Sequence, residues 1–276
     1  EDPEVNEDPR QLLQPTGGRD ELNLAEFPIT LLSDRAPKGC KTLTFEVEQR
    51  DDRTGEMVAR KVTITGSDAF GLPTAVDDEI LLALIQLTKL KNNFTNPTVY
   101  FSRYEMLKLL GWSDDGRNYR RIEESIRRWT GVTVYYDNAW RHKETGRWVS
   151  ENFHFIERSS FMDAKTREIR RAQLRPEIAH SSFKWNEFIF QSFQAGSLKR
   201  LDMDAYFSYT TSVAKRMYRF LDKRFWIKPL WKFDLKEFAF NRIGLGSNYD
   251  VAQIKAKLQP AIDELSRSTP ERAAFL

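Results

Sequence analysis

Hydrophobic and polar residues alternate in two short stretches of the N-terminal part of the chain. Every second residue is apolar in residues 42–48, and the same pattern recurs in residues 60–65. A period of two predicts two β-strands, each with one buried face. The polar, glycine-containing segment 51–55 between them predicts a turn. We therefore expect an antiparallel hairpin whose apolar face is covered by another element.

Three apolar patterns with helical spacing follow the hairpin. Residues 76–91 carry a wide apolar stripe, with acidic residues in the first turn, where negative charge suits the helix dipole. Ser102 and Glu105 are spaced as in a capping box, which predicts a short helix that ends at Leu110. Residues 111–113 then form a turn before a third helix over residues 115–130. This order predicts a unit of three helices.

The third of these helices separates apolar from charged residues. At about 100° per residue, four residues form one stripe that would anchor it: Tyr119, Ile122, Ile126 and Trp129. The polar residues of the opposite face project away from that stripe: Arg117, Arg120, Arg121, Glu124 and Arg128, with Asn118 at the flank. Arginine can bond guanine O6 and N7 together, and glutamate can accept from cytosine N4. The cluster is typical of a recognition helix in a major groove.

A solvated structural helix is the alternative interpretation of the same residues. Glu123 and Arg127 are four residues apart, as are Glu124 and Arg128, so both pairs could stabilise the helix on its surface. The two interpretations differ in what the arginines contact, which is either DNA or neighbouring side chains. The sequence of the helix alone leaves both open.

A strand and a basic hairpin follow the third helix. Alternating apolar residues in residues 132–136 and 149–155 predict two strands, joined by residues 139–147. Trp140 and Trp148 are placed to pair across this hairpin. The tip would then offer cations to phosphates or to a minor groove, from Arg141, His142, Lys143 and Arg147. The order of helix, turn, helix, strand and basic hairpin is that of a winged helix-turn-helix domain.

Two further stretches complete the first domain. Phe161, a turn at residues 163–166 and the arginine-rich residues 167–175 predict another hairpin with a basic face. The aromatic residues of 183–194 have helical spacing. We expect four large apolar side chains of this stretch to pack between domains: Trp185, Phe188, Ile189 and Phe193. A domain boundary is predicted near residues 195–197, where Ala-Gly-Ser interrupts the pattern.

The C-terminal part repeats this helical order. Residues 210–226, 233–237 and 248–266 predict three helices, with a turn at residues 244–246. Four pairs of positions match between the two parts: Phe101/Phe233, Glu105/Glu237, Gly111/Gly244 and Asn118-Tyr119/Asn248-Tyr249. Their shared order predicts a duplicated unit. On the last helix, the side chains predicted to reach DNA are Asn248, Gln253, Lys255 and Lys257.

The predicted fold class is α+β, with tandem winged helix-turn-helix domains of which the second lacks its wing. Residues 1–26 are acidic and contain several Pro and Gly residues, so they are interpreted as a flexible leader. Residues 27–196 are assigned to the N-terminal winged-helix domain with its extra hairpins. Residues 197–276 are assigned to a truncated C-terminal winged-helix domain.

The net charge of +3 hides an asymmetry along the chain. Residues 1–36 contain nine acidic and three basic side chains, so the remaining residues carry a net charge of +9. Residues 116–147 alone contain eight Arg or Lys residues and four acidic residues. A basic surface on a nearly neutral chain indicates a phosphate-binding protein.

Composition and motifs argue against a membrane protein and against an enzyme. No run approaches the roughly 18 to 20 apolar residues of a membrane helix, and a single cysteine, Cys40, fits a reducing cytoplasm. His142, His154 and His180 are scattered, so no metal-dependent tyrosine nicking site is predicted. The chain also lacks the Gly-x-x-x-x-Gly-Lys-Ser/Thr loop of ATPases. We expect no catalytic residues, no metal and no cofactor.

Four segments carry a resemblance to plasmid replication initiators of the two-winged-helix, iteron-binding kind, most closely to the replication initiator protein A family. They are FPITLLSDRAPK (27–38), FGLPTAVDDEILLAL (70–84), VYFSRYEMLKLLGWSDDGRNYRRIEESIRRWTGVTV (99–134) and FHFIE (153–157). The most specific piece is GRNYRRI (116–122). The resemblance covers the first two thirds of the chain well and the C-terminal domain in architecture only.

The resemblance implies a cytoplasmic bacterial protein that binds repeated sites at a plasmid origin and helps to open the adjacent DNA. It also implies contacts with the host initiator and replicative helicase, and a homodimeric form that represses its own promoter. Two linked reading heads would occupy major grooves about 10 bp apart, on a site of roughly 20 bp. The alternatives are a winged-helix transcriptional repressor of its own or a neighbouring gene, and an adaptor whose arginines bind an acidic protein.

Overall fold

In the part of the chain that the structure describes, four helices and two sheets build the first unit. The computed structural model describes residues 18–51, 54–162, 180–267 and 274–276. The elements up to residue 194 are, in chain order, β1 (Gly18–Glu21), β2 (Thr42–Arg50), β3 (Met57–Thr65), α1 (Ala75–Asn92), β4 (Thr98–Phe101), α2 (Arg103–Leu110), α3 (Gly116–Gly131), β5 (Thr133–Arg141), β6 (Trp148–His154), β7 (Ile156–Ser160), β8 (Ser181–Trp185) and α4 (Glu187–Gln194).

The second unit is helical apart from one short strand. Its elements are β9 (Leu198–Leu201), α5 (Met203–Ser208), α6 (Ser212–Phe225), α7 (Leu235–Glu237), a π-helical segment (Phe238–Ile243) and α8 (Val251–Leu265). The mixture of helices and strands agrees with the predicted α+β class. The three predicted helices of this part correspond to α6, to α7 with the π-helical segment, and to α8.

The two predicted hairpins belong to one antiparallel sheet, with the strand order β2-β3-β5-β6. Phe45 lies opposite Val62 across β2 and β3, and Val134 lies opposite Phe153 across β5 and β6. Residues that are paired across antiparallel strands point to the same side, so these apolar residues share one face. The hairpin predicted from the alternation in residues 42–65 is confirmed.

The core of the first unit lies against that face, with α1 at its centre. Ile80, Leu84 and Ile85 are fully buried, and so is Trp129 of α3. The Trp129 indole N–H donates to the carbonyl oxygen of Asp77 at 3.0 Å. Because a buried indole N–H without a partner is costly, this bond fixes α3 against the start of α1.

The aromatic residues of 183–194 also belong to this first core. The prediction that they pack between domains is wrong, because Trp185 lies in strand β8 and donates its indole N–H to Thr88 Oγ1 of α1 at 2.8 Å. Ile189 and Phe193 of α4 are buried in the same cluster, and Phe188 packs against it. Strand β8 pairs with β4 and β7. The basic hairpin predicted between β7 and β8 falls largely on residues 163–175, outside the described residues.

The predicted flexible leader is wrong for its last nine residues. Residues 18–21 form β1, which pairs antiparallel with β9 of the second unit, and Leu24 is fully buried. The acidic side chains that suggested solvation, Asp20, Glu21 and Glu26, are themselves buried. They are tolerated because hydrogen bonds and cations from elsewhere in the chain satisfy them. Residues 1–17 lie outside the described residues.

A buried network of ion pairs joins the two units. Arg219 of α6 binds Asp20 through two nitrogens, at 2.8 and 2.7 Å, and Asp78 of α1 at 2.6 Å. Glu26 is paired with three cations of the second unit: Lys223, Arg224 and Arg242. We call these seven residues the junction network. Because each acid comes from the N-terminal part and each cation from the C-terminal part, the network fixes how the two units pack.

The second unit shares the helical order of α1, α2 and α3, but its predicted matches are only partly equivalent. Gly111 and Gly244 both adopt left-handed backbone angles, with φ of 69° and 94°, where helical segments end. The helices that follow are capped by Asp115 and Asp250. Asn118 lies inside α3, whereas Asn248 precedes the cap of α8. The Asn-Tyr match is therefore out of register with the structure.

Candidate nucleic-acid interface

The turn between α2 and α3 is fixed by caps on both helices. Ser102 Oγ accepts from the backbone N–H of Glu105 at 3.2 Å, and Glu105 Oε2 accepts from the backbone N–H of Ser102 at 2.7 Å. This confirms the predicted capping box. Asp115 caps α3, since its Oδ1 accepts from two backbone N–H groups of the first turn, each at 2.9 Å. The start of α3 is therefore held in one orientation relative to α2.

Four of the polar side chains predicted to face outward from α3 are exposed: Arg117, Arg120, Arg121 and Glu124. The opposite stripe is buried at Ile122 and Ile126. The Arg121 guanidinium lies 4.9 Å from the centre of the Trp112 ring, within the range of a cation–π interaction. The predicted geometry is confirmed for these four residues, whereas their contact with DNA stays a prediction.

Asn118 and Arg128 are placed differently from the prediction. Asn118 is buried in the turn, where its Nδ2 donates to the Ser113 carbonyl at 3.0 Å and to Asp115 Oδ2 at 3.1 Å. Arg128 donates to Asp77 Oδ1 at 2.5 Å and to the carbonyl of Phe70 at 2.8 Å. Asn118 is thus held within the turn, and Arg128 pairs with the buried carboxylate of Asp77, so neither side chain is free to contact DNA.

The alternative interpretation of α3 is correct for one of its two ion pairs. Glu123 accepts from Arg127 at 2.8 Å and from Arg103 of α2 at 3.0 Å, which ties the two helices together. Arg128 uses Asp77 instead of Glu124. The flank of α3 that carries Glu123 and Arg127 therefore stabilises the packing of α2 and α3. A separate, exposed face of α3 is formed by Arg117, Arg120, Arg121 and Glu124.

Two exposed residues of α2 were not predicted as candidates. Tyr104 and Lys108 lie one turn apart, and the Lys108 ammonium is 5.1 Å from the Tyr104 ring centre. Their spacing of four residues, opposite the buried Met106 and Leu110, was a signal available in the sequence. In a helix-turn-helix the first helix crosses the DNA backbone, so both are candidates for phosphate contacts.

The β5–β6 hairpin ends in a closed tip. The backbone N–H of His142 donates to the Arg147 carbonyl, and that of Gly146 donates to the His142 carbonyl, both at 2.8 Å. Arg141, Lys143 and Arg147 are exposed, and His142 is half-buried. The four predicted tip residues are therefore brought together, with three cations accessible.

Trp140 and Trp148 do not pair across this hairpin. A bulge between Tyr136 and Trp140 shifts the register, so that Trp140 lies opposite Val149 and Trp148 lies opposite Arg141. Trp140 is buried in the core, whereas the Trp148 ring lies 3.8 Å from the Arg60 guanidinium. Since a bulge adds residues to one strand, a strict alternation from the sequence fails beyond it.

The hairpin tip lies beside the second unit. The backbone N–H of Arg141 donates to Asn23 Oδ1 at 2.8 Å, which fixes the tip to the segment that follows β1. A cavity of about 660 Å³ separates the tip from the end of α6 and the turn after it, with Lys143 on one side and Trp226 on the other. The tip thus belongs to the surface where the two units meet.

The candidate residues of the second unit have mixed roles. Gln253 is used in a capping box, since its Oε1 accepts from the backbone N–H of Asp250 at 3.0 Å. Lys255 and Lys257 are exposed on α8, and Asn248 is exposed before the helix. Gln253 is exposed, as its predicted outward position requires, but its side chain also caps the helix start, while the two lysines are available to a ligand.

Within the described part of the chain, no group of three or more His, Cys, Asp or Glu side chains is arranged to hold a metal ion. No helix found there is long and apolar enough to cross a membrane. Cys40 is half-buried and is not disulfide-bonded. The features of this surface that stand out chemically are therefore its guanidinium and ammonium groups.

Comparisons with known proteins give a family and a fold. The family model described as Replication initiator protein A matches residues 19–261. A comparison with curated proteins gives no significant match. Among solved structures, selenomethionine derivatives of domains 2 and 3 of RctB are 17% identical, cover 89% of this chain and 86% of that chain, and superpose with a TM-score of 0.54. A second structure of RctB domains 2-3 is 16% identical, covers 89% and 83%, and has a TM-score of 0.50.

Proposed function

The chain belongs to the replication initiator protein A family, and we propose that it starts DNA replication by binding duplex DNA at an origin through the exposed face of α3. The observation that carries the proposal is the cluster of exposed polar side chains at the N-terminal half of this helix: Arg117, Arg120, Arg121 and Glu124. Such a cluster fits the base edges of a major groove. The caps at Ser102 and Asp115 hold the helix in place without using these side chains.

The cations around this helix are assigned to the DNA backbone. Lys108 of α2, and Arg141, Lys143 and Arg147 at the hairpin tip, would neutralise phosphates and set the register on the duplex. Tyr104 of α2 would donate a hydrogen bond to a phosphate oxygen. They carry no sequence information themselves. The base-reading role is therefore restricted to the four residues of α3.

We further propose that the two units are tandem winged helix-turn-helix domains. The order α1, α2, α3 and the β5–β6 hairpin supports this for the first unit, and the order α6, α7, α8 supports it for the second. Lys255 and Lys257 of α8 would contact DNA in the second unit. Two such heads would occupy grooves about 10 bp apart.

The steps after binding rest on the resemblance to plasmid initiators. Repeated sites at a plasmid origin, opening of the adjacent DNA and contacts with the host initiator and replicative helicase are proposed on that ground. A homodimer that represses its own promoter belongs to the same proposal, as does a place in the bacterial cytoplasm.

Fluorescence anisotropy with duplexes that tile the DNA flanking the gene tests the proposal. The intact protein is expected to select one or a few repeated duplexes. Arg117→Ala should weaken binding to these by about 1–3 kcal/mol and leave binding to random duplexes nearly unchanged. Lys61→Ala, which removes a cation of β3 that is paired with Asp137, is the matched control and should have no effect. A protein that binds no duplex would overturn the proposal.

A further inference from the structure

Three bulky apolar side chains are exposed on the turn that follows α6. Trp226 is 65% exposed, Ile227 is 61% exposed and Leu230 is 71% exposed. Single exposed apolar residues are common on proteins, but several together mark a surface that contacts another molecule. None of the DNA contacts proposed above uses this turn.

The turn is held in one conformation by its own hydrogen bonds. The backbone N–H of Ile227 and that of Lys228 donate to the Arg224 carbonyl at 3.0 and 3.2 Å. The Trp231 indole N–H donates to the same carbonyl at 2.8 Å and to the Lys228 carbonyl at 3.1 Å. Pro229 further restricts the backbone. Because the turn is preorganised, binding through its apolar residues would cost little conformational entropy.

A groove runs between this turn and the tip of the β5–β6 hairpin. Its cavity of about 660 Å³ is lined by Trp226 and Ile227 on one side and by Arg141, His142 and Lys143 on the other. Among the described residues that line it, the only acidic one is Glu26, which is buried against three cations of the junction network. The groove therefore combines an apolar wall with a cationic rim.

Among the described residues that line this groove, two of the three tryptophan rings are already covered by cations, which argues against a single strand of nucleic acid there. The third ring, that of Trp226, is exposed. Bases bind by stacking on open aromatic faces. The Trp148 ring has the Arg60 guanidinium at 3.8 Å, and the Trp231 ring has the Lys228 ammonium at 4.1 Å and stacks on Phe233 at 6.1 Å. Aliphatic side chains such as Ile227 and Leu230 offer no stacking surface. A protein ligand suits this wall better.

We propose that this groove binds an acidic segment of a partner protein, which inserts bulky apolar side chains against Trp226 and Ile227 and continues over Leu230 on the turn beside the groove. Its carboxylates would pair with Arg141 and Lys143 at the hairpin tip and with Lys228 on the turn. Apolar anchors at the centre and ion pairs at the rim are the usual division of roles in a protein interface. Arg141 and Lys143 are also assigned to DNA phosphates above, so an acidic segment and a duplex would compete for the hairpin tip. The base-reading face of α3 does not line the groove.

Selection from a phage-displayed library of random 12-residue peptides on the intact protein tests the inference. The selected peptides are expected to be rich in Asp and Glu and to contain Trp, Phe or Leu. Fluorescein-labelled synthetic copies should bind the intact protein at least 10-fold more tightly than they bind Trp226→Ala or Leu230→Ser. Both side chains are exposed, so neither change should lower the melting temperature. Lys143→Glu should also weaken binding at least 10-fold.

Met57→Ser is the matched control, because Met57 is a bulky apolar residue with 61% exposure on the β2–β3 hairpin. It should leave peptide affinity unchanged. Selection of neutral or basic peptides, or equal affinity for the intact protein and Trp226→Ala, would overturn the inference. Sedimentation of Leu230→Ser is a further test. If this variant loses self-association that the intact protein shows, a second copy of the chain covers the turn and the inference is overturned. If Trp226→Ala weakens binding of a labelled oligothymidine but not binding of the peptides, the groove belongs to single-stranded DNA instead.

Discussion

Glu21 and Glu26 are both buried where the two units meet, but their environments differ. Glu21 accepts hydrogen bonds from Asn23, from the backbone of Leu24 and from Ser192, and burial raises its pKa to about 7. Burial would also raise the pKa of Glu26, but its ion pairs in the junction network outweigh this effect and lower the pKa below the ordinary value. The two carboxylates therefore influence stability in opposite directions as pH changes.

Glu21→Gln should flatten the pH dependence of stability near neutrality. The folded protein holds the Glu21 proton up to a pKa of about 7, above the unfolded value of 4.5, so this group's stabilisation is lost as pH rises through that window. We expect the intact protein to lose about 2 kcal/mol between pH 5.5 and pH 8 through this group, and the variant to lose none of it. Chemical denaturation at the two pH values measures the difference. An identical pH slope in both proteins would contradict it.

Arg121 and Arg128 of α3 should behave oppositely when each is replaced by Ala. Arg128 is paired with the buried carboxylate of Asp77, so its loss should lower the free energy of unfolding by about 1–3 kcal/mol. Arg121 is exposed, so its loss should leave stability unchanged and weaken binding to the specific duplex by about 1–3 kcal/mol. Denaturation and anisotropy on the same two variants make the comparison. A stability loss in Arg121→Ala without a binding loss would reverse the assignment.

The β5–β6 hairpin should contribute affinity for DNA without sequence preference. Arg147 is exposed at the tip and lines a second cavity that shares Arg141 and Trp148 with the groove proposed for a partner, but Arg147 itself does not line that groove. Arg147→Ala should weaken binding to specific and random duplexes alike. If Arg147 neutralises one phosphate, the slope of log affinity against log salt should become shallower by about 0.9. An unchanged slope would show that this residue does not contact the DNA backbone.

The helices of the first unit follow from local sequence signals. Each signal spans only a few residues: the apolar stripe of α1, the capping box at Ser102 and Glu105, and Gly111 after α2. The helices that these signals predict begin or end within two residues of the prediction. Such signals act within one turn of the chain, so no knowledge of the remaining fold is needed.

The errors arise where a distant residue decides the outcome. Asp20 and Glu26 resemble solvated acids in the sequence, and only their cations from residues 219–242 explain why they are buried. Arg128 was assigned to the exposed face because its partner, Asp77, lies 51 residues away. Gln253 is exposed as predicted, but its side chain also takes part in a local capping box, which an angular projection alone does not reveal.

At the scale of the whole molecule, the junction network makes the two units one structure. Arg219 satisfies both Asp20 and Asp78, and all three side chains are nearly excluded from solvent. A buried ion pair is a weak source of net stability, but removing one partner leaves charges without compensation. The packing of the second unit on the first therefore depends on this arginine.

Arg219→Ala should destabilise the protein by about 3–5 kcal/mol, because it leaves the carboxylates of Asp20 and Asp78 buried without their cation. Chemical denaturation at pH 7 measures the loss. Lys215 lies on the same helix as Arg219 and forms a less buried ion pair with Glu79 of α1. Lys215→Ala should therefore lower the free energy of unfolding much less. Equal small losses in both variants would mean that the network does not hold the units together.

Plasmid maintenance tests most directly whether α3 reads DNA in order to start replication. A minimal origin that carries this gene is introduced into a host that cannot otherwise replicate it. The intact protein should maintain the plasmid, whereas Arg117→Ala and Arg121→Ala together should lose it at unchanged protein level and stability. Maintenance of the plasmid by this double variant would contradict a DNA-reading role of α3 in initiation. Maintenance of the plasmid without the protein would contradict an initiator role altogether and leave only a repressor role.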